Sequence, residues 1–138
     1  MDKEFIFTFI RENPVCFLAN VHSGKPHVRA LLLYEANEHG IIFHTSKSKD
    51  LYKQLTVNPD VELCFINSEQ NREIRISGSV EFVEDETLKK EIVARRELLQ
   101  PWISQHGYQM LAVMRLKNGM AQIWEPELTF LPKLLIPL

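Results

Sequence analysis

The stretch from Val15 to Ser46 constrains the fold more than any other. It reads "VCFLANVHSGKPHVRALLLYEANEHGIIFHTS", three apolar runs separated by two short turns, "SGKP" and "NEHG". Gly, Pro and Asn punctuate such runs because they favour backbone angles that a strand interior does not use. Connections this short leave no room for a crossover, so consecutive runs must lie side by side and antiparallel. The chain is committed to a sheet before any helix is considered.

Further along, "VELCFIN" and "REIRISGSVEFVED" read as a fourth and a fifth strand. The fifth carries Ile74, Ile76 and Gly78 on one side and Arg75, Ser77 and Ser79 on the other. Gly78 marks a bulge or bend. "MLAVMRL" and "MAQIWEP" predict two last strands joined by a hairpin turn at "KNG". Three helices complete the pattern. "DKEFIFTFIRENP" spaces Phe5, Ile6, Phe9 and Ile10 helically and stops at Pro14. "KSKDLYKQLTVNP" predicts a short helix ended by Asn58-Pro59. "EDETLKKEIVARRELL" sets Leu88, Ile92 and Leu99 on an apolar face, with acids early and bases late as the helix dipole favours. "QPWISQHGYQ" reads as an irregular connection. The sum is an α+β chain of about seven strands, with a sheet long enough to curl into a barrel.

The 138 residues suit a single domain spanning 1–138, and 45% hydrophobic content supplies a core without metal or disulfide staples. A net charge of -2 gives no overall pull toward nucleic acid or anionic membrane. Cys16 and Cys64 each lie in an apolar run and read as buried thiols of a reducing compartment. The opening "MDKEFIFTFIRENP" is acidic and mixed, unlike a signal peptide, and no apolar stretch is long enough to span a bilayer. The expected location is the cytoplasm. No nucleotide-binding glycine loop, zinc-protease motif or nucleophile elbow occurs. The five histidines, His22, His27, His39, His44 and His106, are scattered, and no metal site is expected.

One junction stands out. "FHTSKSKDLYKQL" passes from strand to helix through Thr45, Ser46, Lys47 and Lys49, although a helix start disfavours cations. A bound phosphate reverses that sign, since hydroxyls, backbone N–H groups and a lysine then converge on an anion. The competing reading is solvated lysines with an ordinary cap at Ser46 or Ser48. Arg29, flanked by apolar residues on a neighbouring strand, needs a partner, and Glu35 and Glu62 are the carboxylate candidates.

The segment "GIIFHTSKSKDLYKQLTVNPDVELCF", with "PHVRALLLYEANEHGIIFHTS" before it and "REIRISGSVEFV" and "NGMAQIW" after it, resembles the FMN-binding split-barrel proteins related to pyridoxamine 5'-phosphate oxidase. The order and spacing of these motifs carry the likeness across residues 13–125. The resemblance implies an antiparallel six-stranded split β-barrel with flanking helices, and a homodimer with FMN at its interface. Val28, Arg29, Ala30 and Leu31 would run beside the flavin. His44 and Thr45 match a flavin-contacting pair, Ser46 and Lys49 would hold the phosphate, and Trp124 matches an aromatic residue of the last strand. Glu73 stands where the oxidase has a flavin-contacting Gln. Asp50 and Leu51 occupy the positions of the oxidase's Arg-Lys pair, Tyr34 replaces its substrate lysine, and the tail "EPELTFLPKLLIPL" lacks its Arg-x-His segment. Oxidation of vitamin B6 phosphate is therefore not expected. The short chain is more similar to the nitroimidazole-resistance branch, whose members are proposed to reduce nitro groups. The alternatives are a non-catalytic flavin store or sensor, and a binder of haem or deazaflavin in the same barrel.

Overall fold

The expected meander forms, and then it bends. The computed structural model describes all 138 residues. Its strands are β1 (Val15–His22), β2 (Lys25–Leu32), β3 (Glu35–Asn37), β4 (Gly40–Ser46), β5 (Asp60–Asn67), β6 (Arg72–Val83), β7 (Leu111–Trp124) and β8 (Ile136–Pro137). The helices are α1 (Lys3–Glu12), α2 (Asp50–Val57), α3 (Glu86–Arg95) and α4 (Gln100–His106).

The strands form one sheet in the order β2-β1-β5-β6-β7-β4-β3, with β8 added to β7. Every pairing is antiparallel. The sequence reading treats 27–36 as a single strand. In the structure it changes partner midway. The N–H of Leu33 still donates to Pro14 O beside β1, at 2.8 Å, while that of Tyr34 donates to Ile42 O in β4, at 2.9 Å. This one bent segment joins both ends of the strand order and closes the sheet into a barrel. Counting β2 and β3 as one strand and leaving out the two-residue β8 recovers the expected six.

Three expectations need correction. Residues 111–124 form a single strand, not a hairpin. Ser77 pairs with Met120 and Ser79 with Lys117, so two residues of β7 oppose Gly78 alone. The extra residue is absorbed as a bulge, with Asn118 at φ 55°. A Cβ at Gly78 would lie 2.7 Å from Lys117 O, so close packing demands glycine there. The segment read as irregular contains α4, whose second residue, Pro101, suits a helix start. Leu99 falls in a short 3-10 turn beyond α3, and Lys89, Ile92 and Val93 form the helix's buried positions.

Two apolar clusters follow from the strand alternation. Inside the barrel, Leu18, Phe43, Leu63, Ile76 and Met114 meet Ile6, Phe9 and Ile10 of α1. Asp2 starts α1 by accepting from Phe5 N at 3.0 Å. Each fully buried large side chain here contributes about 1.5–3 kcal/mol relative to exposure. Outside the barrel, Ile42, Leu111 and Val113 pack under Ile92, Val93 and Ile103 of α3 and α4. The rest of the outer face, on β1 and β2, stays open.

Candidate functional site

A groove of about 460 Å³ opens between β2 and the start of α2. Arg29, Ala30 and Leu31 line one wall; Thr45, Ser48, Lys49, Asp50 and Leu51 line the other. The sequence explains both walls. Alternation on β2 turns Arg29 and Leu31 inward, and β4 ends at Ser46 so that the chain can turn into α2.

Lys49 is the residue before the first helical turn, in extended conformation, and no side chain caps α2. Neither Ser46 nor Ser48 acts as the expected cap. Instead Ser46 Oγ accepts from Ser48 N at 3.2 Å, and the two hydroxyls are 2.7 Å apart. The first N–H groups of α2 have no intrahelical acceptors. They therefore remain open donors at the groove, beside Lys49.

Arg29 does not pair with Glu35 or Glu62. Its Nη2 donates to Gln54 Oε1 at 3.0 Å and to Asn20 Oδ1 at 3.3 Å. Asn20 Nδ2 also donates to Gln54 Oε1, at 2.9 Å. Glu62 instead lies 3.8 Å from Arg75. The two buried amides hold the guanidinium in place without neutralising it, and Arg29 Nε is buried with no partner. Asn20 and Gln54 were not singled out from the sequence. The available signal was their polarity at inward positions, Asn20 after Cys16 and Leu18, and Gln54 beside Leu55.

The other expected site residues lie elsewhere. Val28 and Ala30 sit on the exposed outer face of β2 and only the wall position of Ala30 touches the groove. Trp124 pairs with Glu73 at the far end of β7 and lines a separate apolar groove with Leu128, Leu131 and Leu134. Ser46 and His44 point to the opposite side of β4 from Thr45. There His44 Nε2 lies 2.5 Å from Arg96 Nη1, while Arg96 Nη2 donates to Leu33 O at 2.8 Å. Since a guanidinium only donates, Nε2 accepts and the ring proton resides on Nδ1. Burial first, then the charges of Arg96 and Lys49, lower the His44 pKa to about 4. Burial also lowers that of Arg96. Nothing in the sequence pointed to Arg96.

The other lysine of the junction differs. Lys47 Nζ bonds Glu84 Oε1 at 2.8 Å, and Glu84 Oε2 bonds the buried Lys89 at 2.7 Å. Those hydrogen bonds raise the Lys47 pKa and lower that of Glu84. No group of three or more His, Cys, Asp or Glu side chains is arranged to hold a metal ion, and no helix is long and apolar enough to cross a membrane.

An antiparallel split barrel with a groove at a strand-to-helix junction, lined by Arg29, Lys49 and Asp50 among others, defines the class. The chain belongs to the pyridoxamine 5'-phosphate oxidase family, whose profile, described as "Pyridoxamine 5'-phosphate oxidase", matches residues 2–123. Among curated relatives, the pyridoxine/pyridoxamine 5'-phosphate oxidase of Blochmanniella pennsylvanica is 29% identical over 92 residues, 65% of this chain and 43% of that protein. The chain thus spans less than half the length of that relative. Among solved structures, a NimC/NimA family protein from Clostridium acetobutylicum superposes with a TM-score of 0.80 at 22% identity, covering 99% of this chain and 93% of that one. A pyridoxamine 5'-phosphate oxidase-related, FMN-binding protein from Nostoc punctiforme gives 0.66 at 15% identity, covering 96% and 88%. At these identities the two structures establish the shared fold.

Proposed function

We propose that this chain is an FMN-binding oxidoreductase that works as a homodimer and reduces small nitro-type substrates. The observation that carries the reading is that Arg29 and Lys49 share one groove and neither is ion-paired, although Asp50 lines the groove beside them. A half-buried guanidinium whose Nε is buried and unpartnered favours an anion beside it. The uncapped start of α2 adds backbone donors to the same place. The residues therefore fit the phosphate and ribityl chain of FMN.

FMN supplies the redox chemistry when bound, taking two electrons from a donor and passing them on. The protein's part is to hold and orient it. Lys49 and the α2 N–H groups would take the phosphate, Arg29 the polar edge nearest β2, and Thr45 a hydroxyl contact between them. His44, held by Arg96 as its Nδ1–H form, would keep a neutral imidazole on the far side of β4.

The open outer face of β1 and β2 supports the dimer. Val15, Phe17, Val21, Val28 and Leu32 are 58%, 45%, 47%, 69% and 48% exposed. Apolar area of that extent on a sheet calls for a cover, and a second copy of the chain would supply it. Trp124, at the far end of the sheet, would join the groove from that second copy. The NimC/NimA likeness of fold, with Tyr34 where the resemblance sets the oxidase's substrate lysine, favours nitro compounds over vitamin B6 phosphate. The balanced step is two electrons and two protons converting a nitro group to a nitroso group and water, with a reduced nicotinamide or another reduced flavin as the donor.

The test is the absorption spectrum of the purified protein. The expected result is a flavin spectrum that reduced nicotinamide bleaches and a nitroaromatic restores, from a species that elutes as a dimer. A flavin spectrum that no reduced nicotinamide or reduced flavin bleaches would assign the chain as a store. A colourless protein that takes up no FMN would overturn the flavin reading.

A further inference from the structure

A second cavity lies across the Ser46–Lys49 turn from the first. Its volume is about 130 Å³, and Ser46, Ser48, Trp102, His106 and Met110 line it. Ser48 lines both cavities, so the turn is their common wall. Thr45 and Ser46 point to opposite faces of β4, which puts the groove on one side of the strand end and this cavity on the other.

We propose that the second cavity takes the adenine ring of a flavin dinucleotide, so that the chain binds FAD more tightly than FMN. The inference rests on the flavin reading and specifies the form of the cofactor. Position is the first argument. A ligand whose flavin lies along β2 and whose phosphate sits at the turn can reach the second cavity only through a group attached to that phosphate.

Chemistry is the second argument. Trp102 is held half-buried against Ile42, Ile103 and their neighbours, which fixes one indole face. Nucleobases stack on such faces. Met110 adds a polarisable thioether, and His106 and Ser46 add groups for the base edge or ribose. A dry cavity of about 150 Å³ accepts one aromatic ring, so this one suits a base that keeps an edge in solvent.

Charge is the third. The diphosphate would fall at the turn, beside Lys49 and the open N–H groups of α2. Lys47, on the same turn, is already ion-paired with Glu84 and is not needed.

The experiment titrates flavin-stripped protein separately with FMN and FAD, reading flavin fluorescence or heat. The expected Kd for FAD is about tenfold below that for FMN, from stacking of the base on Trp102. Trp102→Ala should remove that preference and leave the FMN Kd within about twofold. Because Trp102 also packs on the core, Trp102→Phe serves as the milder variant and should retain part of the preference. Equal affinities in the wild type, or a preference that survives in Trp102→Ala, would overturn the proposal while leaving FMN binding intact. Binding of neither flavin would overturn the reading beneath it.

Discussion

Two sets of basic residues flank the same turn, and the chain treats them in opposite ways. On one side Lys47 and Lys89 are both ion-paired within the protein, sharing the one carboxylate of Glu84. On the other, Arg29 is tied to the amides of Gln54 and Asn20, and Lys49 to no acid at all. Arg96 is a further case, bonded to a neutral imidazole and a carbonyl. Amides and carbonyls fix the direction of a cation without cancelling its charge. The first set stabilises the fold. The second set is left without an ion pair, as the proposed flavin site requires, and that is the difference to test on one small surface.

The sharpest way to break this comparison is to remove one cation from each set. Arg29→Ala should weaken flavin binding by on the order of 10- to 100-fold, because hydrogen bonds to charged groups contribute about 1.5–3 kcal/mol. Lys47→Ala should change it less than about twofold. Titration of both variants with FMN checks the pair. Equal losses would mean that the groove side has no special role.

A pH series probes the third cation through its partner. Folded His44 has a pKa lowered from 6.5 to about 4, so between those values the unfolded chain binds the extra proton. Stability rises with pH where the unfolded state holds more protons, so it falls as pH drops from 6.5 and levels off near 4. The expected loss across that window is about 2–3 kcal/mol. His44→Gln, which cannot charge, should lack this component, and the difference between the two denaturation curves isolates it from the carboxylates. Parallel curves would mean that burial and the charge of Arg96 do not hold His44 neutral.

The contrast also shows what was readable beforehand. Strands, their antiparallel order and the Gly78 bulge were legible because each leaves a local mark: alternation, a tight turn, a glycine in a strand. The continuous β7 was not, because "KNG" suits a hairpin and a bulge equally and only its pairing with β6 decides. The helix α4 was hidden by its length of seven residues, too short for a periodic pattern. At the site, Lys49 was marked by a charge that opposes the helix dipole, and Thr45 by a hydroxyl beside it. The partners of Arg29 were not, since Asn20 and Gln54 lie 9 and 25 residues away along the chain and meet it only once α2 packs on β1. Arg96 lies 52 residues from His44, a contact that exists only because α3 folds back over β4.

The smallest expected effect is the most exacting, because it separates a seat from a neighbourhood. Lys49 and Lys53 are both exposed lysines of the same segment, so any general attraction for anions weighs them alike. Only Lys49 lines the groove, one residue before the helix begins; Lys53 is one turn further along α2. A charge at the surface of a helix end is worth about 0.3–1 kcal/mol, and screening by salt reduces it further. Lys49→Ala should therefore weaken FMN binding by about two- to fivefold at low salt and by less at high salt, with Lys53→Ala unchanged in both. The orphan N–H groups of α2 persist in either variant, which is why the loss stays small. If Lys49→Ala instead matched Arg29→Ala, the lysine would be the principal anchor of the phosphate. If both lysine variants lost equally, the turn would be no more than a basic patch, and Arg29 alone would mark the site.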